Sequence, residues 1–290
     1  MSVPSQEIHI TIETQEQDGL KTLANTAELS LQTLKKCMKK GAVWFTRGKQ
    51  THRIRRGKKR YLIGDELHLY YNESVLNETP TPAELLFDEG QYSLWYKPYG
   101  TRCQGSKWSD HTTINRFVEI HTHRPAYIVH RLDRAATGLI IIAHSKKMAA
   151  ALAKLFELRT LKKYYHVIVE GDLQNSPLFP QSLDNMTQNK QLTINTLVDN
   201  KNAISHVEPL EYCSDKNQSL VKVTIETGRK HQIRIHMASI GHPVVGDRLH
   251  GHANSNSINL QLTSCFFEFI CPLTHQRKQF MLPERLKPKL

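Results

Sequence analysis

The chain has 290 residues, 39% apolar and 23% charged, which suits a globular protein with one full core and room for a small accessory domain. Its formal net charge of +12 points to a polyanionic partner, either nucleic acid or an anionic membrane surface. The membrane reading is excluded, because the longest apolar run, Leu139 to Ala143, is far short of the ~20 residues a spanning helix needs. The stretch Met1 to Gly19 is polar and acidic, so no signal peptide is expected there. Cys37, Cys103, Cys213, Cys265 and Cys271 are scattered and form no Cys-x-x-Cys pair. Reduced thiols in a cytoplasmic protein are expected, with no disulfide frame. The 16 histidines show no metal-ligand spacing, so no metal site is expected.

The charge is concentrated. Residues 31–60 hold Lys35, Lys36, Lys39, Lys40, Arg47, Lys49, Arg53, Arg55, Arg56, Lys58, Lys59 and Arg60 and no acidic residue, so this window carries +12, the net charge of the whole chain. Leu31, Leu34 and Met38 recur on one face and predict a helix, with Ser30 as its N-cap and Gly41 as its stop. The lysines fall mainly off that face. Ala42 to Phe45 reads as a strand, a basic loop follows, and Asp65 to Tyr71 reads as another strand. A lysine-bearing helix beside a basic loop is suited to phosphates, and a merely solvated face would mix signs.

Residues 18–72 resemble the alpha-L RNA-binding module of a small-subunit ribosomal protein and of tyrosyl-tRNA synthetase. The carrying residues are Leu29-Ser30, Leu34-Lys35-Lys36, Lys40-Gly41-Ala42-Val43 and Ile63-Gly64-Asp65-Glu66-Leu67, with Arg47-Gly48 in place of a usual Asn-Gly turn. The resemblance implies RNA contacts from Lys35, Lys36, Lys39, Lys40, Arg53, Arg55 and Arg56. Residues 73–85, with Pro80 and Pro82, read as a linker.

From 86 to 290 strands and helices alternate. Tyr127 to His130 and Gly138 to Ala143 read as strands around a polar turn. Ser145 caps a helix with Met148, Leu152, Leu155 and Phe156 on one face. Residues 164–169 and 221–225 alternate as strands, and His231 to Ile240 reads as a helix stopped by Gly241 and Pro243. The expected fold is α+β, a mixed and largely antiparallel sheet, behind a small N-terminal RNA-binding domain.

Two segments concentrate chemistry. His130-Arg131-Leu132-Asp133-Arg134 lies in the turn between two apolar strands, where a rigid sheet holds functional groups well. By local chemistry alone, a solvated Asp–Arg turn is the commoner meaning. Thr227 to His236 runs from a strand end through Gly228 into a helix whose N-terminus favours anions, so a phosphate site or a carboxylate clamp fits.

Together these segments resemble the RluA family of pseudouridine synthases. The family's H-R-L-D-x-x-T-S-G-L is matched at His130, Arg131, Leu132, Asp133, Gly138 and Leu139. Its K-x-Y strand is matched by Lys163-Tyr164-Tyr165, and its T-G-R-x-H-Q-I-R-x-H segment by Thr227 to His236. Ile240-Gly241-His242-Pro243, Val245-Gly246-Asp247 and Lys97-Pro98-x-Gly100 follow the same family pattern, so the likeness covers nearly all of 86–290. Ala136 and Thr137 replace the usual Thr-Ser, and His250 stands where the family often has Tyr.

The resemblance implies an isomerase that breaks the N1–C1′ bond of uridine, turns the base and joins C5 to C1′, without cofactor. It implies Asp133 as the catalytic carboxylate, Arg234 as its ionic partner and Tyr165 as a catalytic residue stacked on the base, with a phenol available for proton transfer. Arg131 is then placed to fill the gap of a flipped nucleotide, and Lys163 and Arg229 to meet phosphate or the active-site loop. A monomer acting on structured RNA is expected, ribosomal before transfer RNA. The rival reading is a non-catalytic RNA-binding assembly factor, which has no need of Asp133, Tyr165 and Arg234 together. A metal nuclease would need clustered ligands that the sequence does not offer.

Overall fold

A computed structural model describes residues 5–57, 59–179, 191–251 and 258–290; Lys58 of the basic window lies outside the described residues. The chain divides into two compact units. One comprises the chain through Thr81 together with Arg102–Thr122, and the other Pro82–Thr101 together with His123–Leu290.

The first unit is built on an antiparallel sheet of four strands in the order β1-β4-β2-β3, with β1 at Gln6–Thr11, β2 at Val43–Arg47, β3 at Gln50–Arg53 and β4 at Glu66–Tyr71. Helices α1 (Gly19–Thr26) and α2 (Leu31–Lys40) contribute Leu20, Leu23, Leu34, Cys37 and Met38 to a core shared with Val43, Phe45, Leu67 and Leu69. Both ends of α2 are as its sequence predicts. The Ser30 hydroxyl accepts from the Thr33 amide, and Gly41 takes the left-handed conformation at φ 81°. The basic loop expected after Phe45 is in part strand β3, while residues 54–57 and 59–64 are the irregular basic segment expected. Arg47 pairs with Gln50 across a two-residue turn whose first position, Gly48, has φ 58°, a conformation that suits a tight hairpin. The segment read as a linker holds a short helix, α3 (Glu73–Asn77), capped by the Asn72 side chain, and its Leu76 is buried in the core. Helix α4 (Ile114–Thr122) completes the unit and buries Ile114 and Val118.

The second unit is one sheet of ten strands. Its main path runs β10-β11-β12-β9-β13-β8-β6-β5, with β14 beside β13 and β7 beside β8. The strands are β5 (Glu84–Asp88), β6 (Tyr92–Lys97), β7 (Tyr127–Ile128), β8 (Thr137–Ala143), β9 (Lys162–Glu170), β10 (Leu192–Val198), β11 (Lys201–Cys213), β12 (Gln218–Ile225), β13 (Leu262–Ile270) and β14 (Arg277–Met281). The β8–β13 pair is parallel and the other neighbours are antiparallel, as a mixed and largely antiparallel sheet requires. Gly138 is where β8 meets β13; a Cβ there would lie 2.2 Å from the Ser264 carbonyl oxygen, so only glycine permits the pairing. Helix α5 (Lys146–Glu157), capped by Ser145, buries Met148 and Leu152. Each such side chain contributes about 1.5–3 kcal/mol by leaving water. Helix α6 (Gln232–Ser239) is fixed to β11 by polar contacts: Gln232 Nε2 donates to the Ile204 carbonyl at 2.9 Å, and His236 Nδ1 lies 2.9 Å from Ser205 Oγ. Among the described residues, no helix is long and apolar enough to cross a membrane.

Candidate active site

The turn between β7 and β8 and the entry to α6 open on one cavity of about 1120 Å³ in the second unit, also lined from β9. Asp133, Tyr165, Arg131, Lys163, Arg229 and His231 all line it. Four of these residues come from the two sequence segments singled out above, and the other two, Lys163 and Tyr165, lie on β9. The sheet thus brings together residues about a hundred positions apart.

Asp133 stands in the turn before β8, with its backbone carbonyl accepting from the Ala136 amide at 3.2 Å. Ala136 is buried against the cavity and Thr137 Oγ1 lies 2.8 Å from Thr263 Oγ1. The turn is thus held by backbone and by Thr137, without a hydroxyl at 136. A second brace comes from Lys97, whose buried ammonium donates to the carbonyls of Pro98, Thr101 and Arg134 at 3.1, 2.9 and 3.3 Å. The Asp133 carboxylate is 3.4 Å from Arg234 Nη1. Arg234, however, is engaged chiefly by Asp247, through Nε to Oδ2 at 2.7 Å and Nη2 to Oδ1 at 2.6 Å. Asp247 is fully buried, yet its carboxyl lies below its ordinary value. Burial pushes it up, but the Arg234 guanidinium and the amides of Leu249 and His250 outweigh that. Such a bidentate pair costs desolvation and returns it in geometry. It holds Arg234 rigid, with Nη1 left to point at Asp133. The sequence pattern carried Asp247 within Val245-Gly246-Asp247 but gave no sign of this role.

Tyr165 is buried against the cavity, and burial together with the Asp133 charge drives its phenol far above the ordinary range. It stays protonated at neutral pH, which favours stacking and hydrogen-bond donation over acceptance of a proton. Burial and the charge of Arg159 lower the ammonium of Lys163. Among the described residues no carboxylate pairs with Lys163, which leaves a partly desolvated cation facing the cavity. Arg159, at φ 57°, adds a cavity-lining cation that the sequence reading passed over. Arg229 Nε donates to the Asn202 carbonyl at 3.2 Å, and Arg131 is exposed at the rim. His130 is structural: its Nε2 accepts from the Ile141 amide at 3.0 Å, its ring stacks on Phe156, and burial holds it down at about 3.

The N-terminal basic residues separate into two groups. Lys35, Lys36, Lys39 and Arg56 are exposed. Lys40 is half-buried and donates to the Leu76 carbonyl, while Arg53 and Arg55 both meet the Asp110 carboxylate. The window contains no acid, but acids from elsewhere in the chain reach it: Asp110 there, and Asp65, bridged by Arg47 at 2.6 Å. Arg53 and Arg55 are therefore partly neutralised, a pairing that local sequence cannot show.

Comparison with known proteins follows the same lines. Residues 91–239, just over half of the chain, match the family described as RNA pseudouridylate synthase. An uncharacterized RNA pseudouridine synthase of Mycoplasma pneumoniae is 28% identical over 64% of this chain, a stretch that spans 63% of that relative. A protein named ribosomal large subunit pseudouridine synthase D, from Zymomonas mobilis, is 30% identical over 69% of this chain and 68% of its own length. The solved structure of human RNA pseudouridylate synthase domain containing 1 superposes with a TM-score of 0.58 at 18% identity, covering 73% of this chain and 88% of that one, a likeness of fold. Fold and sequence together define a chain of pseudouridine-synthase type. The chain belongs to the RNA pseudouridylate synthase family.

Proposed function

We propose that the chain converts a specific uridine of ribosomal RNA to pseudouridine, as a cytoplasmic monomer, with Asp133 as the catalytic carboxylate. The observation that carries this reading is Asp133 itself, half-exposed to a cation-lined cavity beside a guanidinium held by Asp247. The carboxylate attacks C1′ as nucleophile or takes the C2′ proton in an elimination across C1′–C2′, returning it when C5 bonds to C1′; either route places it beside C1′ and needs its negative charge. Arg234 pairs with it, Tyr165 stacks on the turned base, and Lys163 and Arg229 meet the phosphates flanking the flipped nucleotide. Arg131 fills the stack it leaves. The exposed Lys35, Lys36, Lys39 and Arg56 of the N-terminal unit, read as an alpha-L type module, anchor the RNA. The preference for ribosomal RNA rests on the name of the Zymomonas mobilis relative.

The test is a transcriptome-wide pseudouridine map with and without the gene, followed by Asp133→Asn on a transcript of the mapped target. The amide is nearly isosteric and lacks the charge, so pseudouridine becomes undetectable while RNA binding, which rests on phosphate contacts, persists. Sites lost only from transfer RNA would reassign the substrate. Activity of the variant within tenfold of wild type would remove Asp133 from the chemistry.

A further inference from the structure

Isomerisation moves two protons. Once C5 has bonded to C1′, C5 carries both the sugar and its original hydrogen; that hydrogen leaves as a proton, the C5–C6 double bond returns, and N1 gains a proton from water. A group must accept the C5 proton, and it must lie beside the carboxylate that serves C1′, because C5 is then bonded to C1′.

The cavity offers few acceptors. Tyr165 is held as a phenol. His130 already accepts from the Ile141 amide, Glu226 is paired with His206 at 2.7 Å, and Glu157 is exposed at the end of α5. The arginines and Lys163 are cations. His231 differs from all of these. Its Nε2 is 3.8 Å from Asp133 Oδ2, too long for a hydrogen bond, so that nitrogen is not committed to the carboxylate. Its Nδ1 is 3.1 Å from His250 Nε2, with the rings edge to face. His231 is also the αL residue that starts α6, at φ 56°, which fixes where its ring leaves the backbone. The His250 backbone amide in turn donates to Asp247 Oδ1 at 3.1 Å, so the same buried carboxylate holds both Arg234 and the backbone that carries the second imidazole.

We propose that His231 Nε2 takes the C5 proton and that His250 relays it to solvent. This rests on the assignment of Asp133 to C1′ above. In the active tautomer Nδ1–H of His231 donates to His250 Nε2. When Nε2 receives the C5 proton, the Nδ1 proton passes to His250, which releases its own from Nδ1; no electrons are exchanged and no co-reactant is needed beyond water. The charged and titratable groups facing His231 are Asp133, Arg234, His250 and Lys230. Burial, Arg234, His250 and Lys230 lower its basicity and Asp133 raises it, with a net lowering that keeps the imidazole neutral and able to accept at neutral pH.

The test uses RNA carrying uridine, 5-deuterouridine or 5-fluorouridine at the mapped position, in single turnover. Fluorine replaces the C5 hydrogen, so 5-fluorouridine RNA passes through cleavage and C5–C1′ bonding without the final deprotonation. His231→Gln is expected to slow uridine conversion about 10²-fold or more, the scale of a lost general base, and to show a primary C5 isotope effect. It is expected to rearrange 5-fluorouridine at the wild-type rate. His231→Asn, whose side chain suits the αL conformation, repeats the experiment should the Gln variant unfold. His250→Phe is expected to give a smaller loss with an isotope effect and a displaced acid limb in the pH–rate profile. Equal losses on uridine and 5-fluorouridine in a folded His231 variant, or no isotope effect, overturn the proposal. Asp133→Asn, inactive on both substrates, marks the separate case in which chemistry at C1′ fails; a fully active Asp133→Asn would overturn the assignment on which the relay stands.

Discussion

Arg234 has two carboxylates and serves them unequally. Asp247 takes Nε and Nη2 at 2.7 and 2.6 Å, and Asp133 takes Nη1 at 3.4 Å. Removing the guanidinium strands a fully buried charge on Asp247, so Arg234→Ala is expected to lower stability by about 3–5 kcal/mol as well as to abolish turnover. Arg234→Lys keeps a charge but not the planar fork that spans both acids, and retains little activity. Asp247→Ala is expected to copy the stability loss without touching Asp133. Urea denaturation of the three variants decides this: an Arg234→Ala midpoint equal to wild type would show that the pair contributes nothing to the fold. Asp133→Asn, by contrast, leaves Arg234 its main partner and is expected to cost little stability.

Helix α2 carries three exposed lysines, Lys35, Lys36 and Lys39, between ends that its sequence specifies completely. If all three contact phosphate, changing them to Ala reduces the log–log slope of RNA affinity against salt by about 2 to 3 units. Lys40→Ala is expected to leave that slope alone and to cost stability, because its ammonium is used on the Leu76 carbonyl. A triple variant with the wild-type slope would place the RNA elsewhere. Elements of this kind were legible because caps and periodicity are local: Ser30, Gly41 and Ser145 all act as the sequence predicts. Strand β3 was not, because four polar residues, Gln50–Arg53, have no alternation of their own and become a strand only by pairing with β2. In the candidate site, Asp133, Tyr165 and Arg234 are proposed from the resemblance of their motifs. Asp247 and Asp110 escaped because their partners are distant in sequence, and charge pairing across a fold leaves no periodic trace.

Many histidines in both units are kept neutral by burial. His68 and His111 in the first unit, and His130, His144, His166 and His236 in the second, all lie below the ordinary imidazole value, with burial the leading cause in each. In the unfolded chain they titrate near 6.5. Above that pH neither state is charged and the groups contribute no pH dependence. As pH falls through 6.5 the unfolded chain takes up protons that the folded chain refuses, so stability declines. The share of His130 continues down to about 3, at a slope of at most about 1.4 kcal/mol per pH unit. The carboxylates held low by arginines, such as Asp65 and Asp247, lose their contribution only under more acid conditions, below about pH 4. Urea midpoints are therefore expected to fall between pH 7.5 and 5, and less steeply for His130→Gln. A midpoint constant over that range would mean that the imidazoles protonate in the folded protein.

The first unit is interrupted: the chain leaves it after Thr81 and returns for Arg102–Thr122, bringing Asp110 to Arg53 and Arg55. On the ribosome this delays its completion. About 40 further residues must be added after Thr81, which at ~5–20 residues per second takes roughly 2–8 s. During that interval the sheet and its first three helices are exposed without α4 and without the carboxylate that anchors two arginines. A nascent chain stalled where Thr81 but not Arg102 has emerged is therefore expected to be more readily cleaved by protease within 41–56 than one stalled far enough beyond residue 122 for that helix to emerge.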